Sequence, residues 1–155
     1  MAIRYVHGDA TAPVGDPPWV LVHIVNDKGG WGKGFVVAIS RRWKAPERRY
    51  RAWSKGKEDL PFELGETQLV PVAEGCYVAN LLGQVGMYAR RGVPPIRYEA
   101  VRAGLQKVAE FALEENASVH MPRIGCGLAG GSWDEVGAIV EAELRNLDVT
   151  VYDYP

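Results

Sequence analysis

The sequence predicts an α/β fold, a three-layer α/β/α sandwich built on a mixed, mostly parallel sheet. Three observations carry that expectation. Short β-rich runs alternate with helical patterns along the chain. Several runs, "WVLVHIV" and "CYVANLL" among them, are apolar at successive positions, as strands covered by helices on both faces must be. Glycine clusters fall where a strand-like run gives way to a helical one, in "NDKGGWGKG" and in "IGCGLAGG". In such sheets ligands bind beyond the carboxyl ends of the strands, where those loops lie.

The elements follow in order. "IRYVH" reads as a first strand and "TAPVGDPP" as a loop, then "WVLVHIV" as a second strand leading into the first glycine cluster. Helical patterns cover 34–43 and 46 to about 55, with periodicity turning Trp43, Tyr50 and Trp53 toward the core. "TQLVPV" and "CYVANLL" are strands and "GVPP" a loop. A helix over 96 to about 115 buries the stripe Tyr98, Val101, Leu105, Val108, Ala109 and Ala112. "SVHMPR" is a strand, 133 to about 145 a helix, and "VTVYDY" the last strand. Ser132 and Glu135 fit a capping box at the start of that last helix, and Asp134 is favoured in the same turn by the helix dipole.

The 155 residues suit one domain, 1–155, with a full core. Hydrophobic residues at 47% and charged residues at 24% match soluble globular proteins. No apolar run is long enough to span a bilayer, so no membrane partner is expected. Eighteen basic against nineteen acidic side chains give a net charge of -1, which disfavours RNA as a partner. The basic, aromatic stretch "RRWKAPERRYRAWSKGK" reads as a solvated cationic face, and the pair Arg90 and Arg91 as a solvated loop, with contact to a phosphate or a partner as the alternative. "MAIRYVHGDA" lacks the apolar core and cleavage site of a secretory signal, which points to the cytoplasm. Cys76, Cys126 and three scattered histidines give neither a disulfide framework nor a metal cluster, and no cofactor is expected.

Glycine is costly in ordered backbone, so two clusters of it need a reason. Between a strand and a helix, bare backbone lets N–H groups approach a phosphate, with the positive end of the helix dipole behind them. The first cluster matches neither the dinucleotide fingerprint nor a P-loop, since Lys33 is not followed by Ser or Thr. The second repeats the arrangement, and two such loops facing one another can cradle a diphosphate.

Taken together and in order, "VHGDAT", "HIVNDKGGWGKGFVVAI" and "MPRIGCGLAGGSWDEV" resemble the macrodomain family, which recognises ADP-ribose. The resemblance covers nearly the whole chain and is to the branch of terminal ADP-ribose protein glycohydrolases and ADP-ribose 1''-phosphate phosphatases. It implies that Asp9 accepts a hydrogen bond from the adenine amino group, with an Asx-type turn as the rival or concurrent role. It implies that Asn26 sits beside the distal ribose, donating to and accepting from its hydroxyls. Gly30, Trp31, Gly32, Lys33 and Gly34 would form the first ligand loop, and Ile124, Gly125, Cys126, Gly127 and Leu128 the loop around the diphosphate. Cys126 is a small filler there rather than a nucleophile. Trp31 either covers sugar or packs in the core, while Trp133 anchors its helix.

Two departures bear on catalysis. Where glycohydrolases of this branch carry a lysine nucleophile and an aspartate, this chain has Gln84 and Ala129, which can do neither job. His23 is the remaining titratable candidate, either a proton shuttle beside Asn26 or a satisfied core histidine; strand alternation puts the two on opposite faces unless the strand bends. His7 and His120 read as structural. The resemblance thus implies a hydrolase that works by positioning and water activation, with Asn26 and His23 as its candidate catalytic residues, or else a non-catalytic reader of ADP-ribose. ADP-ribose or an ADP-ribosylated macromolecule is the expected partner.

Overall fold

The computed structural model describes residues 3–154. Six strands form a single sheet in the order β1-β6-β5-β2-β4-β3. They are β1 (Arg4–His7), β2 (Trp19–Asn26), β3 (Thr67–Ala73), β4 (Cys76–Gln84), β5 (Ser118–Met121) and β6 (Val149–Asp153). All neighbours run parallel except β3, which pairs antiparallel with β4 across a tight turn at the edge. The mixed, mostly parallel sheet is therefore as expected. Its central strand β2 is buried at seven of eight positions, whereas edge strand β1 is mostly exposed.

Alternation along β2 builds two cores. Val20 and Val22 face α3 (Tyr98–Glu115) and α4 (Trp133–Glu143), meeting Val101, Leu105, Val108, Val136 and Val140. Trp19, Leu21 and Val25 face the other way, onto α1 (Phe35–Arg42) and α2 (Ala45–Ser54), where Ile39, Tyr50 and Trp53 are fully buried. Of the expected α3 stripe, Val101, Leu105, Val108 and Ala112 lie fully inside and Tyr98 and Ala109 at its margin. Among the described residues no helix is long and apolar enough to cross a membrane.

One local expectation fails. Ser132 is the N-cap of α4, but its side chain makes no capping bond, so the Ser132–Glu135 box is not formed. The Ser132 carbonyl instead accepts the amides of Glu135 and Val136, and its own amide donates to the Tyr98 hydroxyl on α3. Helix α4 is held at its start by tertiary contact.

Candidate functional site

The carboxyl ends of β1, β2, β4, β5 and β6 open on one edge of the sheet, and four connecting loops gather there. A cleft of about 620 Å³ lies at the β1–β6 side, lined by Asp9, Thr11, Phe35, Arg41, Arg42 and Pro122 among others. Asp9 Oδ1 accepts from both the amide and the hydroxyl of Thr11, at 2.9 and 2.7 Å, so the Asx-type turn is real. Its second oxygen has only the Arg42 guanidinium, 3.7 Å away, and stays open to the cleft for another donor. Partial burial pushes the Asp9 carboxyl up, but the Thr11 hydrogen bonds and Arg42 outweigh it and hold the group below the usual carboxylate range.

The first glycine loop is built by Asn26. A bulge between Val25 and Asn26 breaks the β2 register and swings this side chain toward α2. There Oδ1 accepts from the amides of Lys28 and Gly30 at 2.9 and 3.1 Å and lies 3.0 Å from the Tyr50 hydroxyl, whose single proton has a shorter acceptor, 2.6 Å away, in the Asn26 backbone carbonyl. Nδ2 donates to the Gly30 carbonyl at 2.9 Å. The accepting half of the role expected for Asn26 is thus taken by its own loop, and one amide hydrogen is left for a ligand. Burial raises the Tyr50 hydroxyl, which remains a protonated donor.

Plain alternation with Leu21 and Val25 puts His23 on the α1–α2 side, and the bulge brings Asn26 to that same face, yet His23 does not reach the site. It is 2% exposed, edge-on to Trp31 at 5.3 Å, with Nε2 2.5 Å from Asn80 Oδ1. Asn80 Nδ2 donates to the Pro46 carbonyl and to Gln68, which makes Oδ1 the acceptor and places the His23 proton on Nε2. Burial pushes its pKa down to about 4, against a smaller opposing effect of the Asn80 bond, so the ring is neutral at pH 7. Of the two readings open for His23, the structure takes the core histidine and removes the proton shuttle. Trp31 is corrected likewise: it is 5% exposed, stacked near Tyr50, with its indole N–H on Ser40, and covers core rather than sugar.

The two glycine loops meet. Gly34, at φ +84°, starts α1, and a Cβ there would lie 3.2 Å from Leu128 Cδ1 in the second loop. Gly125 turns that second loop at φ +72° while packed on Ile96, where a Cβ would come within 2.5 Å. Ile124 is buried in the α3–α4 core and Leu128 is exposed. Cys126 directs its thiol at the Ile124 carbonyl, and burial pushes it up, which suits the filler role and not a nucleophile. Gly30 packs under Met87, and Lys33 is exposed.

Gly32 and Gly127 stand apart from these. Neither has a left-handed φ, and a Cβ at either position would meet nothing within 4 Å. The fold itself gives no reason for glycine at these two positions, one on each loop.

Gln84, at the end of β4, donates to the Gly86 carbonyl at 3.0 Å, and Asp27 accepts the Gly86 amide at 2.8 Å, fixing the loop that carries Met87 over Gly30. Ala129 is buried, with its carbonyl on the Ile96 amide. The reading of the sequence missed Asp27, Met87, Phe35 and Arg42 as neighbours of the site. Phe35 directly follows the glycine loop and was the one with a local signal; the others are brought in by tertiary packing. Among the described residues no cluster of His, Cys, Asp and Glu could hold a metal ion.

The architecture has close parallels. The structure superposes with a TM-score of 0.94 on a protein of unknown function from Bacteroides thetaiotaomicron, 54% identical over 99% of this chain and 98% of that one. It superposes with a TM-score of 0.87 on a macrodomain protein from Streptomyces coelicolor, 47% identical over 99% of this chain and all of that one. The chain belongs to the macrodomain family. No family profile matches it. A curated relative, chromodomain-helicase-DNA-binding protein 1-like of Danio rerio, is 34% identical over 99% of this macrodomain but 16% of its own length. The macrodomain thus spans less than a fifth of that relative. It is also 28% identical to the ADP-ribose glycohydrolase OARD1 of Bos taurus, over 97% of the chain and 90% of the relative. Against the ADP-ribose 1''-phosphate phosphatase of Lodderomyces elongisporus the figures are 25%, 98% and 98%.

Proposed function

We propose that this macrodomain binds ADP-ribose and hydrolyses its conjugates, releasing it from a modified macromolecule or removing phosphate from ADP-ribose 1''-phosphate. The observation that carries the reading is the pair Gly32 and Gly127, bare backbone that the fold does not require, on two loops that touch through Gly34 and Leu128. A diphosphate between them takes backbone N–H donors from both sides and the dipole of α1 behind Gly34. The open oxygen of Asp9 receives the adenine amino group. The remaining amide hydrogen of Asn26 reaches a hydroxyl of the distal ribose. Positions 84 and 129 supply neither a lysine nucleophile nor a carboxylate acid, so a held water attacks and rate comes from positioning and electrostatics. The similarity to a glycohydrolase and a phosphatase of ADP-ribose supports the reaction class. Two free cysteines suit a reducing compartment, and we place the activity in the cytoplasm.

Gln84 and Ala129 also favour a second reading, a module that binds ADP-ribose without turning over its conjugates. Calorimetry with ADP-ribose tests what the two share. Time courses on ADP-ribosylated protein, ADP-ribosylated DNA and the 1''-phosphate separate them: release of product from any one supports the hydrolase, and binding with no turnover of all three leaves the reader.

A further inference from the structure

A second cavity, of about 510 Å³, lies at the amino ends of β1, β5 and β6, on the opposite edge of the sheet from the glycine loops. The sheet is polar beneath it. Arg4, Thr150 and His120 stand side by side across β1, β6 and β5, in register with Leu21 of β2. Thr150 and His120 are 1% and 2% exposed, and polar groups buried to that degree need partners. Those of His120 form a chain. The Tyr152 hydroxyl accepts the Val14 amide at 2.9 Å and lies 2.6 Å from His120 Nδ1, while His120 Nε2 lies 2.8 Å from Ser118 Oγ.

The protons in that chain run one way. Tyr152 has a single hydroxyl proton, and among the described residues its acceptor is His120 Nδ1. Nδ1 is therefore bare, and Nε2 carries the hydrogen that goes to Ser118. Burial pushes the His120 pKa down to about 4, against the opposing charge of Asp148, so the ring holds that one hydrogen at pH 7. The Ser118 hydroxyl hydrogen has no acceptor among the described residues, and Ser118 lines the cavity. Successive hydrogen bonds of this kind polarise one another, which strengthens the last donor. The relay satisfies the buried ring and leaves its final O–H for a ligand.

Around this donor the walls are negative. The charged lining residues are Arg4, Asp16 and Asp148. Arg4 and Asp148 are 3.5 Å apart with side chains more than half exposed, a weak pairing that leaves both open to a ligand. Asp16 is exposed and forms no ion pair among the described residues. Helix α3 also ends here, at Leu113 and its left-handed cap Asn116, with no basic residue in its last turn. The negative end of an 18-residue helix favours a cation at that point. Pro17, Pro18 and Leu147 add apolar wall, and no Phe, Tyr or Trp lines the cavity among the described residues, so a sugar or a nucleobase finds no stacking surface.

We propose that this cavity is a second ligand site, for a small zwitterion with an apolar body, a free amino acid or a dipeptide. The ammonium group lies between Asp16, Asp148 and the end of α3, and the carboxylate takes the Ser118 hydroxyl and Arg4. The volume falls within the range of small-molecule sites. The site is independent of the function proposed for the cleft, with which it shares none of its lining residues.

The test titrates the full chain with L-leucine and with leucyl-leucine, and with the two half-ligands 3-methylbutylamine and 4-methylpentanoate, following backbone amide resonances and heat. Leucine or the dipeptide should bind at one site and shift the amides of Gly15, Asn116, Ser118 and Asn146; whichever binds more tightly identifies the occupant. Each half-ligand lacks one charge-assisted contact and should bind about 10- to 100-fold more weakly. The double substitution Asp16→Asn with Asp148→Asn, and separately Arg4→Gln, should weaken the zwitterion by a similar factor of about 10 to 100 while leaving the unfolding temperature and ADP-ribose affinity at their wild-type values. All of these side chains are exposed, so the folded chain tolerates the changes. No binding of either zwitterion at about 10 mM overturns the proposal. So does a half-ligand that binds as tightly as leucine, a set of shifts confined to the glycine loops, or an affinity unmoved by both substitutions.

Discussion

Replacing Gly127 with alanine should move stability and ligand affinity in opposite directions. The added methyl meets nothing within 4 Å and the backbone needs no left-handed φ, so the folded chain accepts it. Restricting the unfolded chain then stabilises the protein by about 0.4–1 kcal/mol, a rise of roughly 1–4 °C in Tm at this size. In the bound state the same methyl stands where a phosphate oxygen approaches the loop. Loss of one charge-assisted backbone hydrogen bond costs about 1.5–3 kcal/mol, or roughly 10- to 100-fold in Kd for ADP-ribose. Gly32→Ala should behave in the same way. Gly125→Ala is the contrast: its methyl falls 2.5 Å from Ile96 Cδ1 at φ +72°, so it lowers stability. The left-handed conformation costs about 1–2 kcal/mol and the overpacking about as much again. Thermal unfolding and calorimetric titration read both quantities. Gly127→Ala and Gly32→Ala proteins that bind ADP-ribose as tightly as the wild type would refute the argument that these positions are kept bare for a diphosphate.

Three further outcomes follow from the side chains. His23 and His120 are held near pKa 4, so as pH falls below 6.5 the unfolded chain takes up protons first; stability is full above that pH and declines down to about 4, by roughly 3 kcal/mol for His23 alone. Chemical denaturation at pH 7.5 and 4.5 checks this, and a flat profile contradicts it. Asn26→Ala strips the acceptor from the Lys28 and Gly30 amides, while the Tyr50 hydroxyl keeps the backbone carbonyl of residue 26; it should cost about 2–4 kcal/mol and abolish ADP-ribose binding, whereas Asn26→Asp retains the acceptor and loses less of both. Ala129→Asp, which restores the carboxylate of related glycohydrolases, buries a charge among apolar neighbours; it should destabilise by several kcal/mol without raising turnover, and a faster enzyme would show that the position faces substrate.

Much of the fold was legible in the sequence because its strands are continuous apolar runs and its helices carry one buried stripe. The α3 positions Val101, Leu105, Val108 and Ala112 could be read from spacing alone, since a helix over a sheet buries one fixed face. The site was legible where chemistry is local: the glycine loops at strand ends, and the turn at Asp9. What escaped depends on distant partners. For His23 and Trp31 the core reading was one of two that the sequence left open, and the choice is made by Asn80, Tyr50 and Ser40, contacts that local pattern does not encode. Asp27 and Gly86, bonded across 59 residues, gave no signal at either position.

The most direct measurement is the set of backbone amide resonances on titration with ADP-ribose. The two-loop account predicts that the amides of Gly32, Lys33, Gly127 and Leu128 shift together and saturate with one stoichiometric ligand. Shifts confined to the opposite end of the sheet, around Ser118 and Asn146, or no shifts in either glycine loop, would contradict it.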